Sequence, residues 1–223
     1  MKTQKRNNNE LSRSALRRQR EKQHRIHSIL NAAENLFAKK GYNQTSIEEI
    51  ADLSEVSVGT VYIHFKNKED LLVKLIHDIG DLVSEVLWEE FEGSDHSLLA
   101  FNNLGHIFLT NFCLVHPEKN IIFFRESVGQ SIKVEEHRKQ VIIKITTDIQ
   151  ERLKIVQQSS GGEPIPDSSY ELLAVFVVGM FAQMSIHYFI WQDKPDDLKD
   201  ISYKTNAFLL GGIGSLLRSD SLY

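Results

Sequence analysis

Residues 45–65, TSIEEIADLSEVSVGTVYIHF, decide the fold of this 223-residue chain. They read as two short helices joined by a tight turn. Thr45, Ser46, Ile47 and Glu48 match a capping box, which starts a helix at Ser46. Ile47, Ile50 and Ala51 give that helix one buried face. A turn follows at 54–56. Ser57 then caps a second helix, Val58 to His64, which is nearly free of charge. Val61 and Phe65 point inward. The outer face carries Ser57, Gly59 and Thr60, as a helix lying in a major groove requires. Gly59 lets the backbone approach, and Thr60 offers a hydroxyl and a methyl to base edges. Tyr62 and His64 flank the helix within reach of phosphates. The same pattern also fits an ordinary helical hairpin with Tyr62 and Phe65 as core.

Upstream, Ile26, Ile29, Leu30, Ala33 and Leu36/Phe37 follow helical spacing until Gly41, with Lys39 and Lys40 favourable at the carbonyl end. Residues 10–24 are helix formers that can extend this helix backwards. Downstream, Asn67 caps a long helix, with Glu69 and Asp70 at its positive end. Its apolar face runs from Leu71 to Leu87 and crosses into a larger body. Further helices are expected over 98–115, 117–127, 132–157, about 168–191 and about 198–217, separated by Gly-, Ser- and Pro-containing breaks. No strand-like alternation stands out. The expectation is an all-α fold of about nine helices, divided into a basic arm (1–24), a helix-turn-helix domain (25–70) and a helical effector and dimerisation domain (71–223).

The net charge of −4 does not by itself suggest nucleic-acid binding. Its distribution does: residues 1–24 carry a net +6 and the remainder −10. A solvated tail is the alternative reading of the arm. A single cysteine, Cys113, excludes an internal disulfide framework and fits a reducing compartment. The N-terminus lacks the apolar core of a signal peptide. The most apolar run, 172–182, is too short for a spanning helix, which needs about 20 apolar residues. A cytoplasmic protein with no membrane partner is expected.

Residues 25–76 resemble the DNA-binding domain of the TetR family of bacterial regulators. The resemblance rests on Ala32-Ala33, Leu36-Phe37, Lys40-Gly41-Tyr42, Thr45-Ser46-Ile47, Ile50-Ala51, Val56-Ser57, Gly59-Thr60-Val61-Tyr62, His64-Phe65 and Lys68-Glu69-Asp70-Leu71. It implies that Thr45, Ser57, Gly59, Thr60, Tyr62, His64 and Lys68 contact double-stranded operator DNA. Arg25 and Val58 complete the candidate set. Two positions depart from the family. Glu55 stands where Gly is usual; if that position needs positive φ, Glu carries strain of order 1 kcal/mol. Val58 stands where Lys is frequent, and can touch a thymine methyl but no phosphate. The basic arm can offset both changes.

The resemblance also implies a homodimer on a pseudo-palindromic operator, joined through its last two helices. Candidate interface residues are Val175, Gly179, Ala182, Ile186, Phe208, Leu209, Gly212 and Leu216. It implies a cavity for a hydrophobic small-molecule effector as well. Aromatic and polar residues of the middle helices supply candidates: Trp88, Phe91, Phe101, Phe108, Phe112, Phe124, Arg125, Phe176, Met180 and Gln183. Such aromatics also fit a plain core, and Arg125 also fits an ion pair with Glu126. No HxxxH spacing, nucleophile elbow, P-loop or dinucleotide fingerprint occurs. No metal, cofactor or catalytic residue is expected. The reading is a ligand-responsive repressor; the alternatives are an activator or DNA organiser without small effector and, lacking any polar constellation, an enzyme.

Overall fold

The computed structural model describes residues 13–93, 96, 98–101, 103–161, 165–192 and 197–217. Residues 1–12 of the basic arm, and Asn102, lie outside the described residues. The described residues form helices and connecting turns, without strands.

Helix α1 (Arg13–Lys40) includes the second half of the arm. Its buried residues begin at Ile29, so residues 13–25 extend beyond the core. Gly41 ends it at φ +96°, where its N–H reaches the Phe37 carbonyl at 3.1 Å. Helix α2 (Ile47–Leu53) is capped by Ser46 with Glu49 closing the capping box, one residue later than the Thr45/Glu48 register. Helix α3 (Val58–His64) is capped by Ser57. Phe37, Ile50 and Val61 are fully buried where the three helices meet.

Helix α4 (Lys68–Glu92) begins at Asn67, whose side chain accepts from the Asp70 N–H at 2.8 Å. It runs unbroken across position 70/71. Leu71, Leu72, Leu75 and Ile76 pack beneath the helix-turn-helix, and Ile79, Val83 and Leu87 continue the same core into the body. The body is completed by α5 (Leu104–Ile107), α6 (Pro117–Ile121), α7 (Ile132–Ser159), α8 (Asp167–Met184) and α9 (Leu198–Leu217). The expected single helix over 98–115 is interrupted at Asn103, a residue type that favours caps and turns over helix interiors. Helices α5, α6 and α8 each continue into wide π-helical turns, over Phe108–Leu114, Ile122–Glu126 and Ser185–Trp191. The first and last of these stretches meet α6 at a buried polar cluster. The Ser185 hydroxyl donates to Asn120 Oδ1, and the Cys113 sulfur lies 3.8 Å from each of these oxygens. Burial pushes the Cys113 thiol up to about 12, so it is not a reactive thiolate.

Helix α8 with its continuation, Asp167–Trp191, is long and apolar enough to cross a membrane by length and composition. It exceeds the 11-residue run because Gln183, Ser185 and His187 interrupt that run without making the whole segment polar. About a third of its apolar window is buried within the chain, against α7 and α9.

Helices α4 and α7 approach closely at Gly80: a Cβ there would lie 2.5 Å from Val141 Cγ1. One turn away, His77 Nε2 and His137 Nδ1 are 2.9 Å apart and share a single proton. Burial first, then His137, holds the His77 pKa below its ordinary value; Lys74 acts likewise, while Asp81 and Asp78 oppose. The folded state therefore prefers neutral His77. This contribution is intact above the ordinary histidine pKa of about 6.5, and stability falls as pH drops through it. The melting temperature should fall between pH 7.5 and pH 5.5, and His77→Gln should recover part of that fall. Identical profiles for the two proteins would exclude His77 as a cause.

Candidate DNA interface and ligand cavity

The turn between α2 and α3 is tied by the Val56 N–H to the Ala51 carbonyl at 3.0 Å. It places Glu55 at φ +56°, the left-handed region expected where the family carries Gly. Val61 and Phe65 turn inward, leaving Ser57, Gly59, Tyr62 and the 78%-exposed Ile63 outside. The Ser57 and Thr60 hydroxyls lie 2.8 Å apart, and Ser57 Oγ accepts from the Thr60 N–H at 3.1 Å. Both hydroxyls thus have local partners that a base edge or phosphate must compete with. Val58 is half-buried and packs partly against the core.

Two candidates sit differently from the sequence reading. Thr45 is only 3% exposed, and its hydroxyl donates to the Gly41 carbonyl at 2.8 Å. This internal bond is why Ser46, not Thr45, caps α2. The Lys68 ammonium donates to the Tyr42 and Thr45 carbonyls at 2.7 and 2.8 Å, with its Nζ 4.4 Å from the centre of the Tyr42 ring. Burial lowers its pKa. Lys68 therefore braces the α1–α2 turn and is not extended toward a phosphate. At the other side of the reader, burial lowers the His64 pKa, and Lys22 and Arg25 lower it further. Exposed Arg25 and the arm residue Lys22 thus lie near α3, making one positive edge.

The reader is fastened to the body by polar contacts. The Tyr42 N–H donates to Glu126 Oε2 at 2.8 Å, Ser131 donates to Glu69 at 2.6 Å, and Lys119 pairs with Glu34.

An apolar cavity of about 200 Å³ lies in the body between α4, α7, α8 and the wide turns after α5 and α6. Phe108, Phe112 and Phe124 line it, and Phe108 stacks on Phe181 at 4.7 Å. The other pocket candidates lie elsewhere. Trp88, Phe91 and Phe101 pack edge-to-face on one another, with the Arg152 guanidinium 4.1 Å from the Trp88 ring, so they are core. Arg125 pairs with Glu126 at 2.7 Å and reaches the Ala38 carbonyl, outside the cavity. Phe176 and Met180 line a separate groove between α8 and α9, and Gln183 is exposed. Sequence reasoning missed Arg138. Its signal was present: Val134, Arg138, Val141, Ile145 and Ile149 share one helical face, with a single charge on it.

The interface candidates also divide. Val175, Gly179, Phe208, Gly212 and Leu216 are exposed on the α8–α9 face, where Phe208 is 71% accessible. Ala182 and Ile186 line the cavity instead, and Leu209 is buried beneath the groove. Helix α8 is apolar nearly all round, so its spacing alone favours no face. Among the described residues no group of three or more metal-ligating side chains occurs.

A helix-turn-helix joined by one helix to a cavity-bearing helical body defines a class of DNA-binding regulators. Residues 29–75 match the family model of bacterial regulatory proteins, tetR family, so this segment is similar to the DNA-binding domain of that family. Over 62 residues it is 44% identical to the HTH-type transcriptional regulator QacR of Staphylococcus aureus, covering 28% of this chain and 30% of that protein. Over 102 residues it is 28% identical to the fatty acid metabolism regulator protein of Bacillus subtilis, covering 46% and 51%. These matches thus span about half or less of each relative. The fold is similar to the transcriptional regulator FadR of Bacillus subtilis solved with stearoyl-CoA, with TM-score 0.69 at 20% identity, over 83% of this chain and 98% of that one.

Two substitutions probe the reader. Replacing Glu55 by Gly relieves a left-handed Glu and should raise the unfolding free energy by about 1 kcal/mol, read by urea denaturation. Unchanged stability would mean that the turn stores no strain. A Cβ at Gly59 would meet nothing closer than Ser57 Oγ at 3.8 Å, so the fold does not demand glycine there. Gly59→Ala should stabilise the protein by up to about 1 kcal/mol yet weaken operator binding. Undiminished binding would show that the α3 backbone does not approach DNA at this position.

Proposed function

We propose that this protein is a homodimeric transcriptional repressor that leaves its operator when a hydrophobic small molecule fills the cavity of its body. The observation that carries the reading is the course of α4. The helix whose Ile79, Val83 and Leu87 wall the cavity is the helix whose Leu71, Leu72 and Ile76 close the reader core. A ligand that favours one setting of α4 against α7 and α8 changes the reader's position in the same movement, provided it binds that setting more tightly. In this reading residues 25–70 are the reader and 71–223 the effector and dimerisation body. Arg25, Ser57, Val58, Gly59, Thr60, Tyr62 and His64 face the operator, and the arm of residues 1–24 adds phosphate contacts.

The exposed apolar face of α8 and α9 supports dimerisation. Val175, Phe176, Phe208 and Leu216 are each more than 40% exposed, and Gly179 and Gly212 leave open space beside them for a close approach. Two-fold pairing there would present two readers to half-sites about 34–36 Å apart on a pseudo-palindrome. Likeness to regulators named for fatty acid metabolism, one of them solved with stearoyl-CoA, favours an acyl chain as the apolar part of the effector. The protein would work in the cytoplasm, where its operator is.

The test is a mobility shift on DNA upstream of the protein's own coding region. The wild type should retard this DNA, and a medium- or long-chain acyl compound should release it. Phe208→Glu should be monomeric by light scattering and bind at least tenfold more weakly. Retardation that no apolar compound relieves would contradict the effector; a monomeric variant with full affinity would contradict the dimer.

A further inference from the structure

The wall of the α4–α7–α8 cavity is apolar except at Arg138, its one charged residue among those described. Three contacts hold this guanidinium. Nη1 donates to Glu135 at 2.8 Å, Nη2 makes only a long 3.4 Å contact to the Phe123 carbonyl, and the Phe123 ring centre lies 5.6 Å from its central carbon. The Nε–H is buried and has no hydrogen-bond partner. Glu135 is independently fixed by the Gly129 N–H at 2.6 Å. It therefore pins one side of the guanidinium and leaves the Nε/Nη2 edge underused. A buried guanidinium donor without an acceptor is unfavourable, and that edge is the planar fork that takes both oxygens of a carboxylate. Glu135 does not cancel the charge seen from the cavity. Its side chain is 43% exposed and screened by water, whereas that of Arg138 is 14% exposed.

We infer that the effector is an apolar carboxylic acid whose chain fills the aromatic cavity and whose carboxylate draws the buried Nε/Nη2 edge of Arg138 toward it to form a bidentate pair. This rests on the ligand-responsive reading above and names the chemical class of the ligand. An alcohol or a thioester offers a single oxygen and matches the fork less well. The volume of about 200 Å³ lies below the roughly 300–1,000 Å³ of pockets for drug-sized ligands, which favours a medium chain. The same contact provides a route to the reader. A carboxylate drawing Nη2 away from the Phe123 carbonyl disturbs the turn Ile122–Glu126, and Glu126 in that turn holds the Tyr42 N–H.

Titration calorimetry on the full-length protein with decanoate, decanol and decanoyl-CoA tests this. The wild type should bind decanoate at least tenfold more tightly than decanol. A charge-assisted hydrogen bond contributes about 1.5–3 kcal/mol, or roughly 10- to 100-fold in affinity. Arg138→Gln should lose that preference through weaker decanoate binding while its decanol affinity stays within about twofold, which also reports an intact cavity. Arg138→Lys, charged but without the fork, should recover only part of it. Equal binding of acid and alcohol by the wild type overturns the assignment, as does an unchanged preference in Arg138→Gln. Tighter binding of decanoyl-CoA, indifferent to residue 138, overturns it in favour of a thioester. If Arg138→Gln fails to fold, the wild-type comparison and Arg138→Lys still decide. Silence of all three compounds overturns this inference and the apolar effector with it, whereas decanol binding without an acid preference overturns this inference alone.

Discussion

Helix α4 must serve both ends of one hydrophobic core. Over 25 residues, about 37 Å at the usual rise, it buries Leu71, Leu72, Leu75 and Ile76 under the reader and Ile79, Val83 and Leu87 in the body. A continuous hydrogen-bonded helix transmits a tilt from one end to the other because no hinge residue lies between the two sets. Gly80 does not act as one. It lies inside the helix and serves the approach of Val141 from α7. That tight contact borders the cavity, since Gly80 and Val141 both line it.

Polar contacts join reader and body beside that core. Glu126 on the Tyr42 N–H, Ser131 on Glu69 and Lys119 on Glu34 are polar contacts at partly accessible positions. Each contributes modestly, because water competes for the same groups. Breaking or shifting one demands far less than opening an apolar core. These contacts are therefore the part of the boundary between reader and body that small movements rearrange most readily.

The reader was legible because its determinants are short-range. Caps, a turn and apolar spacing lie within about twenty residues, and even the left-handed Glu55 was foreseeable from the glycine its position usually takes. The slip of one residue in the capping box is instructive. Thr45/Glu48 and Ser46/Glu49 both satisfy the same spacing. The choice is made by the Gly41 carbonyl, which takes the Thr45 hydroxyl inward and leaves Ser46 to cap α2. Lys68 escaped the sequence reading similarly: its partners are carbonyls 23 and 26 residues away, brought under it by the fold.

By itself the sequence determined the all-α class, the helix-turn-helix, the unbroken α4 and the family likeness of residues 29–75, since each depends on local periodicity or on motif residues in fixed order. The tertiary structure alone decided what the aromatic and apolar residues of the body do. Trp88 and Phe101 are aromatic residues of the body like Phe108 and Phe112, but the first pair packs edge-to-face in the core and the second walls a cavity. Val175 and Ala182 sit on one helix, yet one is exposed and the other lines the cavity. The reason is physical. Hydrophobic burial is non-directional, so an apolar side chain is equally suited to a core, a cavity or an interface, and only the neighbours that arrive from distant parts of the chain select among them.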